Sequence, residues 1–552
     1  MQYLEQMNIH GLMRYRQEMR NAGAGRYFRR SSVIGQAHVW WKVAAGLVAT
    51  ACVCLFTHTA SANNLTITNE TLQVGGAGYT FVKADICWDN SWKASWTETH
   101  VTPNVTVTNW DAAWIFVKYR VATNGAPWQH ASLSTNNSEH IVPGQAMVNV
   151  GLSTNAAGIG FGTGVFLYRS AEGGGNWTNT VKLRWNYLQD GVATTERVDV
   201  SVHAIEMVYV PQGSFYVGDG TADWIQGQFC SDTRGTVPFQ ITNENYTITL
   251  GGGEPGSLGN HNAAGMYTAD DFNNSMSKEL PAAFPKGYNA FYCMKYEISQ
   301  GQWVNFFNML TVPQKTNRDL KNTLAANNRI TVSWAGGVSD ATLTNSAGLA
   351  IPDRACGNLC WADGEAYADW AGLRPMTELE FEKACRGPLS PVANEYAWGT
   401  INLIKITGFS GTDGSGTETA FPANANCAEL NSGKGPLRCG IYATASSGRE
   451  SSGATYWGIM EMSSNLRERT VNVGNPTGRA FTGALGDGTL DEKGYANTTN
   501  WLPLAAYGSG TRGGWAGDYW HNLRSSDRKW AANYNANRSS GNWGFRGVRQ
   551  AP

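Results

Sequence analysis

Thr511–Arg549 reads TRGGWAGDYWHNLRSSDRKWAANYNANRSSGNWGFRGVR. Between Trp515 and Trp543, 20 of 29 residues are Trp, Tyr, Asn, Ser, Gly or Arg. Large rigid aromatics mixed with small adaptable polar residues are the vocabulary of a binding surface. Some of these rings belong to a core. Trp515 and Trp520 lie five residues apart and alternate in direction on an extended chain, so one strand face does not account for both. The segment holds no cysteine; the last one in the chain is Cys439.

The rest of the chain sets the frame. Its 552 residues are enough for two or three domains with ample core. A formal net charge of −1 gives no overall pull toward nucleic acid or an anionic membrane. With 64 Gly, 22 Trp and only 15% charged residues, the composition is loop-rich, aromatic and mostly β.

The N-terminus has the pattern of an export signal over residues 1–62. Arg26, Arg29, Arg30 and Lys42 precede the apolar run Val43–Phe56, and Ala60-Ser61-Ala62 offers a small-x-small cleavage site. The alternative is a short membrane anchor, although the run is brief for a span. An exported protein of bacterial type follows, periplasmic, cell-surface or secreted, with membrane contact only through export or surface attachment. Cys52 and Cys54 leave with the signal and eight cysteines remain. Export permits disulfides. Cys356 with Cys385, and Cys427 with Cys439, are the favoured pairs, each within one block of the chain, and Cys293 is expected as a buried free thiol. Cys356-x3-Cys360 has no second cysteine pair or nearby histidine to complete a zinc site.

Residues 63–204 hold short apolar runs at Leu65–Ile67, Tyr79–Val82, Ala113–Tyr119, Ala146–Val150, Val165–Tyr168, Val181–Trp185 and Val198–Val202, separated by Gly, Asn and Pro clusters. That spacing predicts an antiparallel all-β sandwich. From 205 to 552 the pattern is α+β. Ser299 caps a helix whose Trp303, Phe306, Phe307 and Leu310 share one face. A second helix runs near Ala362–Ala371 and stops at Gly372. A third starts at the capping box Thr377-Glu378-Leu379-Glu380 and ends at Gly387-Pro388.

Seven blocks fall in order: MVYVPQGSFYVGDG from Met207, YEISQGQW from Tyr296, DWAGLRPMTELEFEKACRG from Asp369, EYAWGT from Glu395, YWGIMEMSSNLRER from Tyr456, RGG at Arg512 and NWGFRGVR from Asn542. Together they resemble the formylglycine-generating, or sulfatase-modifying-factor, family. The resemblance implies a C-type-lectin-like fold over 205–552, with 512–549 as its last segment. Catalytic members hold copper on two cysteines in that segment; an ungapped match places Asp518 and Leu523 there. Soft Cu(I) needs thiolates, so neither copper nor formylglycine production is expected. Other relatives bind iron through histidines; this domain has only His261 and His521, and iron is not expected either. A structural calcium held by Asn465 and Glu468 is implied by the family block GNVWEW, with an ion pair from Arg467 or Arg469 to Glu468 as the alternative.

The tail also resembles the variable region of diversity-generating retroelement proteins, which share this fold and are rewritten at adenines, mainly in Asn codons. Asp518, Tyr519, His521, Ser539, Ser540 and Gly541 are all reachable from an Asn codon in that way. The expected function is display of a diversified binding surface to a protein or glycan at a cell or phage surface. The side chains expected to contact it are Asp518, Tyr519, Trp520, His521, Lys529, Trp530, Tyr534, Ser539, Ser540 and Trp543. Two alternatives stay open: a metal-dependent oxidase of the same family, and a structural or adhesive surface module.

Overall fold

A computed structural model describes residues 64–552, apart from 124, 155–157, 222–224, 233–236, 321–331, 335–338, 340, 344–351, 414–415, 430–434 and 539–541. The expected export signal at 1–62, with Cys52 and Cys54, and the expected contacts Ser539 and Ser540 lie outside the described residues.

Eight strands build the N-terminal region: β1 (Thr66–Gly76), β2 (Tyr79–Glu98), β3 (Val105–Val121), β4 (Gln129–His130), β5 (Ala146–Thr154), β6 (Gly160–Arg169), β7 (Gly173–Trp185) and β8 (Val198–Val210). Each apolar run picked out in the sequence falls in or against one of them. β3 explains itself by its period of two. Ala113, Ile115 and Val117 join a core walled by the N-terminal strands, with Val165, Leu183 and Trp185. Ala112, Trp114 and Phe116 point the other way, into the mixed core with Trp303, Phe306 and Trp370. All six of these β3 side chains are fully buried. A strand covered on both faces has no reason to alternate polar and apolar residues, which is why this stretch reads as a continuous apolar run.

The boundary expected at 204/205 falls inside β8. Asp111 to Val121 of β3 pair antiparallel with Val208 to Val198 of β8. The far end of β8, Met207–Val210, pairs with β9 (Phe291–Met294). Beyond it the sheet continues to β10 (Arg374–Pro375) and β14 (Gly547–Gln550), in the order β1-β2-β3-β8-β9-β14-β10, and includes eleven strands in all. A three-stranded sheet lies in the C-terminal half: β12 (Ser509–Arg512), β11 (Arg467–Val471) and β13 (Trp543–Gly544), with β11 central. The two regions meet through buried polar contacts. Trp114 Nε1 donates to the Ala371 carbonyl at 2.8 Å, and Lys118 Nζ donates to the carbonyls of Trp370 and Gly488 at 2.7 Å each.

The helices are few. α1 (Gln300–Asn308) begins with a Ser299/Gln302 capping box; Leu310, expected on its apolar face, is buried just past its end. α2 is Val312–Arg318. α3 (Trp361–Trp370) is followed by Gly372 at φ +70°, and α4 (Glu378–Arg386) starts on a Thr377/Glu380 capping box. Among the described residues no helix is long and apolar enough to cross a membrane.

The expected disulfides do not form: all eight described cysteines are free. Cys356 and Cys385 pack in two different core clusters, as do Cys427 and Cys439, so neither pair shares a neighbourhood in which to bond. Cys293 is a buried free thiol.

Candidate functional site

The tail is mostly loop, and four arginines, three of them buried and Arg538 half-buried, hold it in place. Arg512 donates to Glu382 at 2.7 Å and to Glu378 at 3.2 Å. Arg528 reaches Glu378 at 2.7 and 2.9 Å and Asp270 at 2.7 and 3.1 Å. Arg538 grips both oxygens of Asp363 at 2.6 Å each, a carboxylate that also receives Arg318 at 2.8 Å. Arg546 holds Glu468 Oε1 at 2.6 and 2.9 Å. Such charge-assisted, multidentate bonds fix a loop without secondary structure. Helix α4 makes this possible, because Glu378 and Glu382 lie one turn apart on the same side. Burial alone would push the Glu378 and Asp363 carboxyls up; the arginines outweigh it and hold both below their ordinary values.

A second device carries the aromatics. Arg467 and Arg469 are two apart on β11 and share a face. Arg467 lies 4.3 Å from the Trp530 ring centroid, and Arg469 4.6 Å from that of Trp543. Arg467 also pairs with both oxygens of Asp518, at 2.6 and 2.8 Å. Arg469 donates to the carbonyls of Leu359 and Asn535, 3.0 Å each.

The expected contact residues therefore divide. Tyr519, Trp520 and Tyr534 are exposed by 57%, 38% and 40%. His521 is half-buried and stacks parallel to Tyr519, with ring centroids 5.7 Å apart. Burial, with Lys529 and Arg524 nearby, lowers its pKa and favours the neutral ring. Lys529 and Trp530 are half-buried, and Trp530 stacks on Tyr267 at 4.6 Å. Tyr534 leans on Tyr507 at 4.6 Å. Asp518 and Trp543 are buried supports of this surface, each only 7% exposed. Tyr267 and Tyr507 extend it from outside the tail. Nothing in their local sequence marks them; Tyr267 comes from a segment far from the tail, and Tyr507 from just ahead of it.

The positions matching the family's two cysteines are spoken for. Asp518 is committed to Arg467. Leu523 is fully buried beside Tyr396, Trp398 and Cys427. Burial raises the thiol pKa of seven described cysteines, Cys230 and Cys360 to about 11, so none of the seven offers a thiolate at neutral pH.

The residues implied for calcium do not fit that ion as they stand. Asn465 Oδ1 accepts from the Leu437 N–H at 2.8 Å, and its Nδ2 donates to Glu297 at 2.6 Å. Glu468 Oε1 is taken by Arg546, leaving Oε2 as its single unpartnered oxygen. The neutralising arginine is thus Arg546, while Arg467 and Arg469 turn to the tail.

Comparison with known proteins agrees with this architecture. The model of the sulfatase-modifying factor enzyme 1-like domain (FGE-sulfatase) matches residues 193–551. The formylglycine-generating enzyme of Bos taurus is 29% identical over 198 residues, which cover 29% of this chain and 51% of that protein. The chain thus spans about half the length of this curated relative. The family model extends over more than half of the sequence and takes in the arginine-anchored tail, and the chain belongs to the sulfatase-modifying factor enzyme 1-like domain family.

Proposed function

We propose that this chain is an exported ligand-binding protein that presents its tail as a diversified surface on a C-type-lectin-like scaffold. The observation that carries this is the division of labour within the tail. Arg512, Arg528 and Arg546 are buried anchors and Arg538 a half-buried one, while Tyr519, Trp520 and Tyr534 between them are exposed. Fixed anchors allow the side chains between them to change without loss of the fold, and preorganised aromatics bind at low entropic cost. The ligand is a protein or a glycan of a cell or phage surface. Asp518 and Trp543 act from beneath, positioning the loops.

Formylglycine production is not expected, since the ungapped match sets Asp518 and Leu523 at the two thiolate positions; an oxidase of the same family using other ligands is the alternative reading. Purified protein incubated with copper and a cysteine-containing sulfatase peptide is expected to yield no aldehyde above a no-protein control.

Two measurements test the binding proposal. At the locus, a reverse-transcriptase gene and a near-copy of the tail's coding sequence, differing at adenines of the copy, are expected. A locus with neither, together with sibling proteins carrying an unchanged tail, overturns diversification. For binding, the Tyr519→Ala/Trp520→Ala double variant should keep the parent's thermal midpoint and lose at least about 2 kcal/mol of affinity for any surface ligand identified on a protein or glycan array. Unchanged affinity removes the tail as the contact surface.

A further inference from the structure

A second site lies where the N-terminal strands join the family domain. Trp110 of β3, Tyr168 of β6, Tyr209 of β8 and Tyr292 of β9 form an aromatic row across neighbouring strands. Trp110 stacks on Tyr209 at 4.0 Å with 8° between ring planes, and on Tyr168 at 5.1 Å with 19°. Tyr209 meets Tyr292 at 5.3 Å. The row lines a cleft of about 310 Å³ with Asn149, Gln212, Asn289 and Gln550. No residue of the tail surface takes part, and no lining side chain carries a charge. Lys93 touches the Trp110 and Tyr168 rings from outside the lining, and its ammonium donates to the carbonyls of Arg169 and Ser170 at 3.3 and 3.2 Å.

Gln550 Nε2 donates to the Ala290 carbonyl at 2.6 Å, but part of the cleft's hydrogen-bonding capacity is unspent. The Tyr168 hydroxyl accepts from Asn149 Nδ2, and the Tyr292 hydroxyl from Trp110 Nε1, each at 3.1 Å. In both cases the hydroxyl's own hydrogen remains to be given. Among the described residues, the Tyr209 hydroxyl and the carboxamides of Gln212 and Asn289 make no side-chain hydrogen bond. Tyr168 and Tyr292 are themselves 7% and 1% exposed, so their donors sit in a desolvated wall.

We propose that this cleft binds a neutral saccharide unit. Phenols and carboxamides both donate and accept, which suits a ligand whose every hydroxyl does the same. An anionic ligand would find no cationic lining side chain to pair with and would lose hydration on entry. A purely apolar ligand would bury the phenols and amides unsatisfied. Aromatic ring carbons supply the apolar contact that the C–H faces of a sugar need. The volume lies at the small end of the roughly 300–1,000 Å³ of ligand pockets, and such sites favour the seams between structural units. A mono- or disaccharide fits that description.

The test uses the full purified chain and calorimetric titration with cellobiose, maltose and N,N′-diacetylchitobiose, with sialyllactose as an anionic probe and spermidine as a cationic one. At least one neutral sugar should bind saturably and the charged probes should not. Tyr209→Phe, and Gln212→Ala with Asn289→Ala, should each weaken binding at least tenfold while leaving the thermal midpoint unchanged. The Tyr519→Ala/Trp520→Ala variant should bind the sugar as the parent does. Absence of binding by all three neutral sugars, preference for a charged probe, or undiminished binding by the cleft variants overturns the proposal. Loss of sugar binding in the tail variant alone also overturns it and assigns the sugar to the tail instead.

Discussion

Arg467 binds Asp518 through two hydrogen bonds, of 2.6 and 2.8 Å, while its guanidinium lies 4.3 Å from the Trp530 ring centroid. One side chain of a central strand thus ties together two stretches of tail twelve residues apart. Asp518 is a fastening point of the tail.

Removing one member of that buried pair strands the other charge. Asp518→Ala and Arg467→Ala are each expected to cost about 3 kcal/mol. The Asp518→Ala/Arg467→Ala double variant should cost clearly less than the sum of the two single changes. A double-mutant cycle in urea gives the coupling directly, and simple additivity would show that the pair is not coupled.

Acid should loosen the tail through Asp363. Arg538 and Arg318 hold its carboxyl below the ordinary 3.8. Its contribution is therefore complete above the unfolded value and is lost as pH falls through the lower folded value. Unfolding free energy measured at steps below about pH 4 should drop more steeply in the parent than in Asp363→Asn, which should already be weakened at pH 7.

Asp527 works in the opposite direction. Burial pushes its carboxyl up to about 7 although it accepts from the N–H groups of Gln226 and Lys529. A raised folded value means that stability falls as pH rises from about 4 toward 7. Asp527→Asn should flatten the stability curve in that window. An unchanged slope would place the proton elsewhere.

Gly364 is a helix-interior glycine with a steric reason. A Cβ there would lie 2.0 Å from Phe545 Cδ2, and Phe545 is fully buried. Gly364→Ala should lower stability by roughly 1–3 kcal/mol through overpacking, against the usual helical gain from alanine. A rise in melting temperature would show that the ring has room to move.

Much of this was legible in the sequence, and the parts that were not share a cause. Helix starts were legible because Ser299 with Gln302, and Thr377 with Glu380, are local signals that form as capping boxes. Strand positions were legible from short apolar runs. The tail's arginines were visible, but not the carboxylates that receive them: Asp270, Asp363 and Glu378 come from distant segments, and pairing across such distances leaves no mark in a single sequence. For the same reason Arg546, not the adjacent Arg467 or Arg469, neutralises Glu468. The cleft of Trp110 and Tyr209 leaves no local signal, because its walls come from residues on both sides of 205 that are far apart in the chain.

Strand β8 has a consequence for how such a protein can be rearranged. It gives one edge to β3 and the other to β9. A protein of separable modules can be cut in its linker and each piece recombined with new neighbours. Here a cut at residue 205 would divide a strand and open unpaired edges on both fragments.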